Sequence, residues 1–185
     1  MNNILKDKLL LATFLSNLFY SMASPTVRYE LVSNVGSKLI SLNSICFCIS
    51  GILCSILWNK YSNKLYKKYG FFYNMETILY IIICLLFISR YISPVVYYIL
   101  DTIFYCLVTK NLICGSNRLK MLRYINKERE VYDNNVQLMS NASSLIEFTI
   151  SLIFNFSIIT GFILITIGIC LDNFFYYNAW KETIK

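Results

Sequence analysis

Histidine is absent from the whole 185-residue sequence. That removes Ser-His and Cys-His nucleophile pairs and mixed Cys/His metal sites together. The seven cysteines offer no substitute, because no two of them have the C-x-x-C spacing. Cys46, Cys48, Cys54, Cys84, Cys106 and Cys170 sit inside apolar runs and Cys114 borders one. They read as small packing residues that a membrane tolerates. No metal, no cofactor and no enzymatic activity are therefore expected. Charge is scarce as well. Only 15% of residues are charged, against roughly a quarter in a soluble domain. The deficit falls in blocks, with almost uncharged runs between short charged clusters, as in a polytopic membrane protein.

What is abundant is apolar surface: 57% of residues are hydrophobic and mean hydropathy is +0.55. Apolar segments can be placed at about 9–28, 39–58, 71–89, 92–110, 133–156 and 157–175, each near the ~20 residues that cross a ~30 Å hydrocarbon core. The fifth carries Asp133, Asn134, Asn135, Gln137, Asn141 and Glu147, and its boundary with the sixth rests on the interruption Asn155-Phe156-Ser157. Lys6 and Lys8 before Leu9–Leu15, with Ser21-Met22-Ala23 after them, imitate a signal peptide. Five further apolar segments follow, so a retained first span is expected.

The distribution of basic residues tests this layout. One side of the membrane receives Lys6, Lys8, Lys60, Lys64, Lys67, Lys68, Lys110, Arg118, Lys120, Arg123, Lys127, Arg129, Lys181 and Lys185. The other receives only Arg28, Lys38 and Arg90. The asymmetry predicts that both termini are cytoplasmic. It also disposes of a nucleic-acid reading of the lysine–tyrosine stretch from Asn59 to Gly70 and of the net charge of +7. That stretch is expected to be a cytoplasmic loop whose lysines hold topology and touch anionic head groups.

Polar stripes distinguish the spans. Ser37, Ser41, Ser44, Cys48, Gly51 and Ser55 recur at steps of four and three on one face of the second. Asp133, Gln137, Ser140, Ser144, Glu147 and Ser151 repeat that rhythm in the fifth. Thr13, Asn17, Tyr20 and Ser24 mark the first, and Tyr98, Asp101 or Thr102, Tyr105 and Thr109 the fourth. The third and sixth are plain: Ile78 through Ile88 is apolar apart from Tyr80 and Cys84. The polar-polar-plain order occurs twice, which suggests a 3+3 repeat of helix character. Asp101 and Glu147 fall near mid-membrane, where a carboxylate costs several kcal/mol unless solvated, paired or protonated. Each reads either as a hydrogen-bonded packing residue or as a site for a proton or a cationic solute.

The segment Asn59-Lys60-Tyr61-Ser62-Asn63-Lys64-Leu65-Tyr66-Lys67-Lys68 resembles the loop between helices 2 and 3 of major facilitator superfamily transporters, whose motif runs Gly-x-x-x-Asp-Arg-x-Gly-Arg-Arg. Lys64, Lys67 and Lys68 match its basic positions. Asn59 and Tyr66 stand for the glycines and Asn63 for the aspartate. Lys127-Glu128-Arg129-Glu130-Val131-Tyr132 is similar to the charged entry to that family's fifth helix. The resemblance covers the chain as an N-terminal six-helix half, and implies an all-α integral membrane fold with a single domain over 1–185. It implies that helices 1 and 4 line a cavity, 2 and 5 face the opposite domain, and 3 and 6 support them from the lipid side. On that reading Asn17, Tyr20, Asp101, Tyr105 and Glu147 lie on a substrate or proton pathway. Asn59, Asn63, Lys64, Lys67 and Lys68 form the motif loop, and Ser41, Ser44, Gly51, Gln137 and Ser144 pack between domains.

The expected function is then a half-size permease of the cell membrane, moving a small-molecule solute by alternating access. Its second six-helix half would be another copy or another chain, unless the sequence is the N-terminal piece of a longer transporter. Two alternatives stand beside it. One is the six-helix substrate-binding subunit of an energy-coupling-factor vitamin importer, although Ala12 and Ala23 are too far apart for its usual docking spacing. The other is a truncated or non-transporting membrane protein, such as an immunity or assembly factor, which would tolerate neutral replacements of both carboxylates.

Overall fold

A computed structural model describes residues 7–124, 127–153 and 157–184; the side chains at 20, 21, 23–32, 34, 127, 147, 148 and 151–153 lie outside that description. All regular structure among the described residues is helical. The helices are α1 (Lys8–Val35), α2 (Ser37–Lys67), α3 (Tyr69–Ile88), α4 (Pro94–Phe104), α5 (Lys110–Arg123), α6 (Lys127–Ile153) and α7 (Ile158–Ile184). A π-helical segment, Tyr105–Thr109, joins α4 to α5 without a break, so the described helices form six continuous rods.

Local chemistry sets the ends of these rods. Asp7 caps α1, its Oδ1 accepting the Leu9 N–H at 3.0 Å. Gly36 separates α1 from α2 with φ at 81°, a conformation open to glycine and strained for side-chain-bearing residues. The end of α3 is a Schellman turn: Arg90 N–H reaches Phe87 O and Tyr91 N–H reaches Leu86 O, both at 3.0 Å. Arg90 occupies its left-handed position at φ 60°, where glycine is usual. Ser93 caps α4, accepting from Val96 N–H at 3.3 Å, with Pro94 in the first turn. Ser157 caps α7 through Thr160 N–H at 3.2 Å.

Among the described residues four rods are long and apolar enough to cross a membrane: Ser37–Lys67, Tyr69–Ile88, Pro94–Arg123 and Ile158–Ile184. At 20 residues α3 alone spans about 30 Å, the thickness of the hydrocarbon core. The distribution of side chains agrees. On α2, Leu42, Ile45, Ile49, Ile52, Leu53, Ile56 and Leu57 all point outward while Asn43 is buried. On α3, Phe71, Ile78, Ile82 and Leu85 are exposed while Glu76 is buried. A contiguous apolar exterior over a partly polar interior needs lipid as its solvent. Among the described residues the fold is thus all-helical, with four helices fit by length and composition to cross a membrane. The rod containing α6 has the length, 27 residues, but its polar content keeps it out of the four.

The stretch from Asn59 to Lys68, expected as a loop, is instead helical through Lys67. The ladder is interrupted only at Tyr61 (φ −126°, ψ 25°), and Lys68 alone makes the turn into α3. No proline or glycine occurs from Asn59 to Tyr69, and Lys, Leu and Tyr let the helix run on. Likewise Lys110, expected at a helix end, is internal to the Pro94–Arg123 rod.

The chain divides into two compact units, Arg28–Arg118 and Met1–Val27 with Leu119–Lys185. In Arg28–Arg118 the centre is α3, packed against α2, α4 and the π segment. A Cβ on Gly115 would lie 2.0 Å from Cε2 of the fully buried Tyr69, so α5 passes α3 at a distance that admits only glycine. In the other unit a Cβ on Gly168 of α7 would lie 3.1 Å from Phe19 Cβ and 3.3 Å from Ser16 O on α1, a small-residue crossing of the kind used in lipid. One end of this unit is tied by charge. Glu182 pairs with Lys8 at 3.4 Å and with Arg123 at 3.1 Å, while Tyr124 donates to Asp7 Oδ2. Burial, that hydrogen bond and the Asp7 charge push the Tyr124 hydroxyl far above the ordinary tyrosine range, so it remains a donor.

Candidate functional site

Along α3, Tyr69, Tyr73, Glu76, Tyr80, Cys84 and Phe87 recur every three or four residues, and all are buried. Spacing of this kind places them on one helical face. The face that packs inward is therefore the polar one, and it meets the α4–π–α5 rod along its length. Phe87 packs edge-on against Tyr97, ring centroids 5.6 Å apart. One turn further on, the Tyr80 hydroxyl donates to Asp101 Oδ1 at 2.8 Å. Thr109 Oγ1 then donates to Glu76 Oε1. Beyond it the Tyr73 hydroxyl donates to that of Tyr69, which donates to Leu112 O at 2.6 Å. On the flank, Trp58 Nε1 donates to Asn111 Oδ1 at 3.1 Å, linking α2 to the same rod.

The result is a ladder of hydroxyls and two carboxylates between antiparallel helices. Asp101 is seven residues from the start of α4 at Pro94 and Tyr80 eight from the end of α3 at Ile88. Both stand about 10–12 Å inside their helix ends at 1.5 Å per residue. Glu76 is only 6% exposed and sits one helical turn from Tyr80 on the same face of α3. Its partner Thr109 closes the π-helical segment. A π turn widens the helix by one residue, and such segments occur often at functional positions. Chemically the ladder can hold a proton on either carboxyl or oppose a positive charge. Among the described residues no Lys or Arg forms an ion pair with Asp101.

The positions singled out from sequence are distributed over both units. Asp101 and Tyr105 share the α4–π rod, four residues apart. Tyr105 packs against Phe47 with the rings tilted (centroids 4.2 Å), and Lys110 Nζ lies 5.0 Å from the Tyr105 ring centroid. Gly51 faces the Lys110 side chain, a Cβ there lying 3.6 Å from Nζ, so this position of the small stripe packs within its own unit. Ser41 and Ser44 are exposed, their hydroxyls turned back to Ser37 O and Ile40 O. Asn63 Oδ1 accepts from Arg118 Nη2 at 3.4 Å, bringing the end of α2 beside α5; Asn59, Lys64, Lys67 and Lys68 are exposed around it. In the other unit Asn17 and Ser144 are half-buried and Gln137 is exposed. The side chains of Tyr20 and Glu147 lie outside the described residues.

Two features of the site are not among the positions expected from sequence. Glu76 lies just outside the apolar run from Ile78 to Ile88 that gives the third span its plain character. The tyrosines at 69, 73 and 80 flank Glu76 at helical spacing and carried the missing signal. The second feature is a cluster around Lys120 of α5, whose Nζ lies 5.9 Å from the ring centroids of both Tyr132 and Tyr176. This is within cation–π range. Comparison with known protein families, with curated proteins and with solved structures finds no match for this chain.

Proposed function

We propose that the chain is a half-size, major-facilitator-like permease of the cell membrane, moving a small solute by alternating access together with a second six-helix half. Its six spans would be α1, α2, α3, the α4–α5 rod, α6 and α7, with both termini cytoplasmic. The observation that carries the reading is the buried ladder Tyr80–Asp101 and Thr109–Glu76. Structural helices in lipid need no carboxylates, and two of them facing inward support the reading of a proton or solute path. Further support comes from the ends of the rods. Lys8, Arg123 and Glu182 meet in one unit and Asn63 meets Arg118 in the other. A single cytoplasmic side for the basic clusters requires those neighbours. The outward-facing small stripe of α2, with Ser41, Ser44 and Ser55 exposed, suits close packing by another helix bundle.

Cross-linking in native membranes tests the reading. A species of twice the chain mass is expected for a transporter built from two copies. Co-purification with ATPase subunits instead would overturn it in favour of an importer subunit.

A further inference from the structure

A cavity of about 380 Å³ opens at the charged end of the unit formed by Met1–Val27 and Leu119–Lys185. Lys8 of α1 and Phe174, Phe175, Asn178, Lys181 and Glu182 of α7 line it. The lining is graded along α7. Phe174 and Phe175 lie at its apolar end, Asn178 one turn on, and Lys181 and Glu182 a further turn on. Phenylalanine and ammonium are thus separated by about 10 Å at 1.5 Å per residue. The charges do not cancel. Glu182 is engaged most closely by Arg123, at 3.1 Å, and more loosely by Lys8, at 3.4 Å. Lys181 has no carboxylate partner among the described residues and rests its Nζ 4.7 Å from the ring centroid of Tyr177. Among the lining residues Lys8 and Lys181 against Glu182 leave a surplus of one positive charge, and Arg123 draws Glu182 from outside the lining.

We propose that this cavity binds the head group of an anionic phospholipid, its phosphate between Lys8 and Lys181 and its glycerol and upper acyl chains against Phe174 and Phe175. Basic pockets between membrane helices on the cytoplasmic side take such head groups. The apolar half of the lining argues for a lipid over a free anion, because inorganic phosphate has no use for two phenylalanine rings. The proposal rests on the membrane-embedded fold and is independent of any transport activity.

Native mass spectrometry of the purified full chain, titrated with phosphatidylglycerol and phosphatidylcholine in detergent, tests it. Wild type is expected to retain phosphatidylglycerol preferentially. Lys8→Gln/Lys181→Gln is expected to lose that preference by about thirtyfold, the product of two interfacial lysines. Lys8→Arg/Lys181→Arg, which preserves charge, should keep it. Unchanged retention in the glutamine pair would overturn the proposal, as would equal loss in the arginine pair. Displacement of the lipid by millimolar inorganic phosphate, with phosphate itself retained, would also overturn it by identifying a free-anion site.

Discussion

Tyr80→Phe removes one oxygen atom from the ladder, and the size of its effect reports the charge carried by Asp101. The hydroxyl donates to Asp101 Oδ1 at 2.8 Å, and Tyr80 is only 5% exposed. Water therefore cannot easily replace the lost donor. Between membrane helices a neutral side-chain hydrogen bond contributes about 0.6 kcal/mol on average and at most about 1.7. A hydrogen bond to an ionised group contributes about 1.5–3 kcal/mol. For a chain of this length each kcal/mol moves the melting temperature by about 2–4 °C. A protonated Asp101 thus predicts a fall of about 1–7 °C on Tyr80→Phe, and an ionised one a fall of about 3–12 °C. Asp101→Asn keeps an acceptor for Tyr80 and removes the charge, so it should be neutral or stabilising. The double variant then isolates the coupling between the two side chains. The assay is thermal unfolding of purified protein in detergent, followed by helical circular dichroism. An unchanged melting temperature in Tyr80→Phe, with no coupling in the cycle, would refute the ladder.

Gly115→Ala should be among the most damaging small substitutions, because its Cβ would lie 2.0 Å from a Tyr69 ring already held by Leu112 O. Overpacking of this kind costs about 1–3 kcal/mol or more, and Tyr69→Leu in the same chain should recover part of the loss on thermal unfolding. Arg90→Gly relieves a left-handed residue and should stabilise by about 1 kcal/mol, raising the melting temperature by about 2–4 °C; a lower value would contradict the Schellman turn. The hydrogen bond from Arg123 and the Lys8 charge hold the Glu182 carboxyl below the ordinary glutamate range. Its stabilisation is therefore complete above that range and lost as pH falls through the depressed value. Melting curves of wild type and Glu182→Gln should converge on acidification and on adding salt, and curves parallel from neutral pH to pH 3 would contradict the ion-pair cluster.

The rods were legible in the sequence where lipid-facing residues dominate. The apolar runs of α2, α3 and α7 lie within Ser37–Lys67, Tyr69–Ile88 and Ile158–Ile184, and the interruption at Ser157 is a helix cap. Asp101 was legible because a carboxylate stands out in an apolar run. Glu76 was not, since a hydropathy reading averages over all faces of a helix and weights the outward one. In α3 that outward face carries Ile78, Ile82 and Leu85, and it concealed the inward stripe of tyrosines. The helical continuation past Tyr61 was hidden for another reason. Lysine clusters end hydrophobic spans but do not end helices, so charge marks the membrane boundary while the backbone ladder runs on. The π-helical segment Tyr105–Thr109 leaves no compositional trace; its residues, Tyr-Cys-Leu-Val-Thr, are ordinary for a membrane helix.

The most direct test of the central claim uses liposomes containing only this protein and an internal pH dye, challenged with amino acids, sugars and organic cations. At least one class of solute is expected to drive a proton signal. Asp101→Asn and Glu76→Gln should each abolish it while leaving the protein folded. A solute-driven proton signal that survives both substitutions would contradict the assignment of the buried ladder to transport.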